Sequence, residues 1–280
     1  MLKEKRYIIV LIAIMVAIIM LKPNFSNAAT EYKYSDTEQG IEWVYELDEN
    51  NNVINLYCAT KSKIGKVEIP STIDGKKVIS LQGENTPELS GYNSVLNNCK
   101  AVSEVIIPDT ITEIPDGAFY NCVGLKNITI PNTIVSIGYK AFEGCGGLNT
   151  ITMPNSLTSI GGNAFYGCSG LKSIVLSDNL IEIKSRAFEG CTGIKEINLP
   201  SNLISIGSYA FEGCTGITKL ELPDSVTTIE NDAFNGCTGI KELKLSKNLT
   251  RIAEGTFRNN TGLKEVQIPD NVTTISASSG

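Results

Sequence analysis

The chain contains no histidine. That removes the commonest metal ligand and the side chain most often used for proton transfer near neutral pH. No two cysteines stand in a CxxC arrangement, which argues against a zinc site. There is no GxSxG elbow, no phosphate-binding glycine loop and no cluster of metal ligands. Carboxylates are scattered through an acidic chain, and carboxylate pairs therefore single out no acid–base site. An enzyme is the weakest class, and no cofactor is expected. Lys/Arg clusters are also missing beyond residue 29, and the formal net charge is −6. Nucleic acid is an unsuitable partner, because phosphate contact needs a basic face.

Long apolar runs are scarce too. The longest covers residues 7–21, which is 15 residues, short of the roughly 20 that span a bilayer. Lys3, Lys5 and Arg6 precede it, and Ser26, Ala28 and Ala29 follow. A basic start, a short apolar stretch and small residues make residues 1–29 a secretory signal, cleaved after Ala28 or Ala29. Cleavage removes four basic side chains and one acidic one, taking the formal charge from −6 to −9. No membrane span is expected after cleavage.

What the chain has in abundance is repetition. Phe recurs at 119, 142, 165, 188, 211, 234 and 257, always 23 residues apart. Cys keeps the same step at 99, 122, 145, 168, 191, 214 and 237. Such a period marks a solenoid, in which small units stack to share one core. Seven complete units align without gaps over 108–268, and a partial one follows. Upstream, residues 67–73 match the same pattern in a first unit interrupted at about 82–97. Within a unit, Leu148, Ile151 and Met153 read as a short strand with alternate residues inward. Ile134 and Ile137 read as a second short extended piece on the opposite wall. Ala141 and Phe142 are expected in a turn of helix.

Other columns punctuate the unit. The residue before each ladder Cys is Gly or Asn, from Asn98 to Asn259, as a left-handed turn would require. Gly recurs two residues after Cys, where it would let the chain turn into the strand. Thr110, Thr133, Ser156, Asn179, Asn202, Ser225, Asn248 and Asn271 form a polar column suited to bonding neighbouring backbones. Eight Cys in an exported chain ordinarily suggest disulfides. Seven stacked at one repeat position have parallel Cα–Cβ vectors, whereas a disulfide needs them to converge. They read as buried free thiols. Cys58 falls outside the ladder.

A unit reading C-x-G-L-x-x-I-x-I-P-x-x-I-x-x-I-x-x-x-A-F-x-G resembles the BspA-type leucine-rich repeat, over about residues 64–275. Residues 41–47 and 53–57, flanking Asp48-Glu-Asn-Asn-Asn52, resemble the β-hairpin that often precedes such repeats. The expected fold is an α/β solenoid. It has a parallel sheet on one face, short helical turns, a second short extended segment per repeat and an N-terminal β-hairpin cap. Residues 1–29 are then the signal peptide, 30–63 the cap and 64–280 the repeat solenoid, whose last unit is incomplete. Thr256 in place of Ala and Asn260 in place of Cys mark the end of the stack. The resemblance implies a secreted or cell-surface protein for adhesion or ligand capture, and it brings no catalytic residues.

Strand positions facing away from the core form two columns. One runs Glu104, Asn127, Thr150, Ser173, Glu196, Lys219, Glu242, Glu265, and the other Ile106, Thr129, Thr152, Val175, Asn198, Glu221, Lys244, Gln267. The first half is small and neutral and the second half charged. The candidate ligand-binding residues are Glu196, Asn198, Lys219, Glu221, Glu242, Lys244, Glu265 and Gln267. The expected partner is a host or matrix protein, with a surface glycan as the alternative. End-to-end self-association through the last repeat is a third reading, and the oligomeric state stays open.

Overall fold

The computed structural model describes residues 30–60, 62, 65–82 and 94–276. The expected signal segment lies outside the described residues, as does most of the expected insertion, 83–93. The repeat region is a β-solenoid of about 7 turns.

One turn shows how the sequence builds it. In the strand Thr150–Thr152 the side-chain alternation sends Ile151 inward and both threonines outward. Leu148 and Met153 join Ile151 in the core. Leu157 and Ile160 are buried on the opposite wall, where Ser159–Ile160 forms a two-residue strand. Ala164, Phe165 and Cys168 then close the turn, all fully buried. The first wall pairs only in parallel, at the step of the repeat: Glu104 with Asn127, Thr150 with Ser173, Lys219 with Glu242. It is segmented into short ladders. The second wall is the more regular. Its six two-residue strands, from Glu113–Ile114 to Thr228–Ile229, lie side by side in chain order.

The phenylalanines form a continuous spine. Neighbouring rings from Phe119 to Phe257 lie 5.0–5.8 Å apart, with interplanar angles of 3–16°. Each thiol of the ladder from Cys122 to Cys237 donates back to the carbonyl one repeat before its own Phe. Cys168 Sγ reaches Phe142 O at 3.1 Å and Cys214 Sγ reaches Phe188 O at 3.1 Å. All eight cysteines are buried thiols outside any disulfide. Burial pushes the thiols of Cys145, Cys168 and Cys214 well up, and that of Cys237 up to about 12. The expected substitutions in the last unit keep this arrangement. Asn260 Nδ2 donates to Phe234 O at 2.9 Å, standing in for the thiol. Buried Thr256 turns its hydroxyl onto Ala253 O at 2.7 Å.

The helical turns and the α/β class need correction, because no helix occurs among the described residues. Backbone bonds that a helix would close internally go instead to the next repeat. Lys140 N donates to Gly162 O, Phe142 N to Ala164 O and Gly144 N to Tyr166 O, at 2.7–3.0 Å. Two left-handed residues, four apart, bracket each such segment. One is the expected Gly/Asn column, with φ of 56° to 75° from Asn98 to Asn259. The other was not legible in the sequence: Gly117, Lys140, Asn163, Arg186, Tyr209, Asp232 and Gly255, at φ of 56° to 67°. Three residues between two left-handed ones cannot complete an α-helical turn. The non-glycine members cost roughly 1–2 kcal/mol each, offset by the inter-repeat bonds.

The second glycine column also differs from expectation. It serves close approach rather than a special turn. A Cβ on Gly193 would lie 2.7 Å from Ser169 O and 2.8 Å from Leu171 O. The polar column behaves as expected: Ser156 Oγ donates to Ile134 O at 2.6 Å and Asn248 Nδ2 to Asp224 O at 2.7 Å. Thr110 and Ser225 are exceptions, their buried hydroxyls finding no partner.

The cap has one strand more than a hairpin. Strand β1 (Tyr32–Asp36) pairs antiparallel with β2 (Ile41–Leu47), which pairs with β3 (Val53–Cys58). The Asp48 carboxylate holds the β2–β3 turn by accepting the N–H groups of Asn50 and Asn52. Cys58 lies opposite Trp43, both fully buried. Parallel bridges from Val53 to Val78 and from Leu56 to Leu81 carry β3 into the first turn of the stack.

Two stability results follow from the columns. Phe188→Ala should cost about 3–5 kcal/mol, from a cavity in the spine, and Cys191→Ala about 1–2 kcal/mol, from lost sulfur burial and a weak hydrogen bond. Urea midpoints in the reverse order would mean that the columns are misassigned. Gly193→Ala should cost about 1–3 kcal/mol, because two carbonyls must move. It should exceed Gly190→Ala, where φ is +73° and the new Cβ meets nothing nearer than 3.7 Å. Equal melting shifts for the two would refute the close-approach explanation.

Candidate ligand-binding face

The first wall turns its outward columns to solvent because each strand is only three to five residues long and its central side chains are needed inside. In Lys219–Glu221 the middle residue, Leu220, is fully buried and its neighbours are exposed. All eight candidate residues, Glu196, Asn198, Lys219, Glu221, Glu242, Lys244, Glu265 and Gln267, are exposed. Register brings most of them together. Lys219 stands opposite Glu242 on one side and Glu196 on the other, and Glu221 opposite Lys244. Residues 265–267 continue the columns without forming a strand.

The two lysines are not equivalent. Lys219 Nζ lies 2.7 Å from Glu221 Oε1 along the same strand. Their hydrogen bond, with the charge attraction behind it, raises the lysine above its usual range and lowers the carboxylate below its own. Among the described residues Lys244 has no carboxylate within ion-pair distance, although it faces Glu221 across the ladder. It stands between two shallow grooves. One, of about 570 Å³, is bounded by Glu196, Asn198, Lys219, Glu221 and Asp224; the other, of about 720 Å³, by Glu242, Lys247, Glu265 and Gln267. Lys244 borders both.

Sequence reasoning missed Asp224 and Lys247, which follow the ends of their strands, Glu221 and Lys244, within a few residues. Lys247 donates its N–H to Asp224 Oδ1 at 3.2 Å and its ammonium lies 3.3 Å from Oδ2. The backbone bond leads in holding the Asp224 carboxyl below its usual range. The two residues are 23 apart, so the alignment that aligned the columns also contains this pair. The other half of the wall is different. Thr150, Thr152, Ser173 and Val175 are exposed and uncharged. At its start Glu104 is 3.8 Å from Lys66, which also pairs with Glu68. The exposed aromatic residues among those described, Tyr32, Tyr139 and Tyr166, all belong to other parts of the surface. No helix among the described residues is long and apolar enough to cross a membrane.

Comparison with known proteins gives a consistent result. A leucine-rich repeat protein of T. pallidum is similar in structure, with a TM-score of 0.52 and 25% sequence identity, over 79% of this chain and 87% of that one. A leucine-rich cell surface protein of Faecalibacterium prausnitzii aligns at TM-score 0.42 and 22% identity, over 88% of this chain and 84% of that one. A leucine-rich repeat protein of Bacteroides ovatus aligns at TM-score 0.40 and 21% identity, covering 85% and 88%. Among curated proteins no relative matches at a significant level. The pattern described as the BspA type leucine rich repeat region matches in 6 copies, over residues 92–204 and 159–279. With its 23-residue unit, its parallel ladders and most of its length covered by that pattern, the chain belongs to the BspA-type leucine-rich repeat family.

Proposed function

We propose that this chain is an exported, surface-acting binding protein, adhesin-like, that holds a protein ligand on the charged half of its first wall. The observation that carries the reading is Lys244, an exposed cation without an ion-pair partner among the described residues, set between two grooves edged with carboxylates. A partner surface of mixed charge fits such a pattern, and charge complementarity speeds encounter and fixes register. Solenoids offer this kind of surface because their outward side chains are not needed for packing. Membership of a bacterial repeat family supports protein interaction as the task. Binding proceeds without turnover in this reading. Residues 1–29 act as the export signal, and the exported chain is expected to begin at Ala29 or Thr30 on N-terminal sequencing. A start at Met1 would refute that.

A solid-phase panel of matrix proteins tests the ligand site. The wild-type chain is expected to bind at least one of them, and Lys219→Glu/Lys244→Glu to weaken that binding by about tenfold or more. Raising the salt should weaken the wild type as well, because exposed charges are screened. Binding indifferent to both changes would remove the charged face from the proposal. Hydrolysis of any polymer in the panel would overturn the non-enzymatic reading.

A further inference from the structure

A third concavity lies where the two-residue strands run into the turn ladder, well apart in sequence register from the charged columns. It measures about 660 Å³ and is bordered by Asp116, Ser136, Tyr139, Ser159, Gly162 and Lys184. Tyr139 is its one large exposed hydrophobic side chain, with 49% of its surface open. The repeat explains the space beside it. The column through Tyr139 continues as Gly162, Ser185, Ser208 and Asn231, so the next turn offers only a glycine. The ring packs on that glycine, where an added Cβ would lie 3.6 Å from Tyr139 Cδ2. The preceding Gly161 is pressed on the backbone of Gly138, and no side chain could fill the gap from there.

The backbone that carries the ring is held. Its own N–H donates to Asp116 Oδ1 at 2.6 Å, and Lys140 Nζ lies 5.4 Å from the ring centroid. An aromatic on a held backbone needs less ordering when a ligand arrives. Beside it the groove offers the hydroxyls of Ser80, Ser136 and Ser159, the amide of Asn55, the carboxylates of Glu113 and Asp116 and the ammonium group of Lys184. That lining suits a ligand covered in hydroxyls yet carrying one apolar face. A hexopyranose with equatorial hydroxyls has this character, since its axial C–H bonds make flat apolar faces. A nucleotide would stack as well, but it would bring phosphates to a chain of net charge −6.

We propose that this groove binds a neutral pyranose unit of a glycan, its C–H face on Tyr139 and its hydroxyls bonded by Ser136, Ser159, Asp116 and Lys184. The site is separate from the protein-binding face, and either can fail without the other. The test is saturation-transfer NMR and calorimetry on the purified chain with cellotetraose, chitotetraose and mannotetraose. At least one tetrasaccharide should bind at millimolar concentration, with saturation strongest on ring C–H protons. Tyr139→Ala should weaken it by about tenfold or more, and Tyr139→Phe should retain binding to within about threefold. Gly162→Gln, which fills the groove and removes no polar group, should abolish it. Lys219→Glu/Lys244→Glu should leave it unchanged. Thermal melts identify a variant that has lost its fold, and Gly162→Gln then decides the question beside Tyr139→Ala. No binding of any tetrasaccharide, or binding that survives both groove variants, would overturn the proposal.

Discussion

Everything in this fold depends on the backbone carbonyl of the repeating Phe. It receives the N–H of the Cys three residues on, and the side-chain donor of the Cys one repeat later: Phe142 O takes Cys145 N at 3.1 Å and Cys168 Sγ at 3.1 Å. The first bond shapes a turn, the second ties two turns together, and the Phe rings stack beside both. Between a Phe and the Cys one repeat later such a stack accepts no extra residue, because it would take the ring, the donor and the carbonyl out of register at once; the insertion of the first unit comes before this span, and Leu96 O there still accepts Cys122 Sγ. The last complete unit shows that the bond matters more than the sulfur. Asn260 lacks a thiol and still donates to Phe234 O. The column is therefore a hydrogen-bonded ladder that cysteine fills well, being small, apolar and able to donate weakly. Burial raises the thiols and so disfavours the thiolate form.

How much of this was legible depends on whether a residue's role is carried by its type. Leu148, Ile151 and Phe142 announce themselves, since burial demands apolar side chains at a fixed period. The Gly/Asn column before Cys does so too, because few residues tolerate a left-handed backbone. The second left-handed column could not be read, since Lys140, Asn163, Arg186, Tyr209 and Asp232 share no chemistry. Their conformation is imposed by bonds to the next repeat, which local propensity does not encode. The helix expected at Ala141 and Phe142 failed for the same reason: tertiary hydrogen bonds took the donors that an isolated segment would have used within itself. The glycine after Cys was identified correctly as necessary, but the cause is a neighbour in space, Lys100 O or Ser169 O, and not the torsion of the glycine.

The candidate face was legible because alternation along a strand is a rule without much context. Lys219 and Glu221 flank a buried leucine and must point out. What the rule could not give was pairing. Register alone makes Lys219 and Lys244 look alike, each among carboxylates, yet Lys219 is joined to Glu221 and Lys244 to no carboxylate among the described residues. The tyrosine groove was less accessible still. Tyr139 occupies a column whose other members are small or polar, so a single aromatic there reads as incidental until Gly162 is seen beneath its ring.

These two proposed sites illustrate a consequence of stacking one unit many times. The core consumes the apolar columns and the Phe carbonyl, and it places almost no demand on the outward positions. Surface ion pairs in water add little stability, so the charges around Lys244 are poorly explained by folding alone. The same holds for a tyrosine left half exposed over a glycine, where burial would have contributed more to the fold. In a solenoid the departures from the repeat, rather than the repeat itself, are where binding chemistry should be sought. Lys244, Tyr139 and Gly162 are departures of that kind, and they fall on different faces. On the two proposals, a protein and a glycan would be held on separate faces, neither ligand disturbing the spine that supports both.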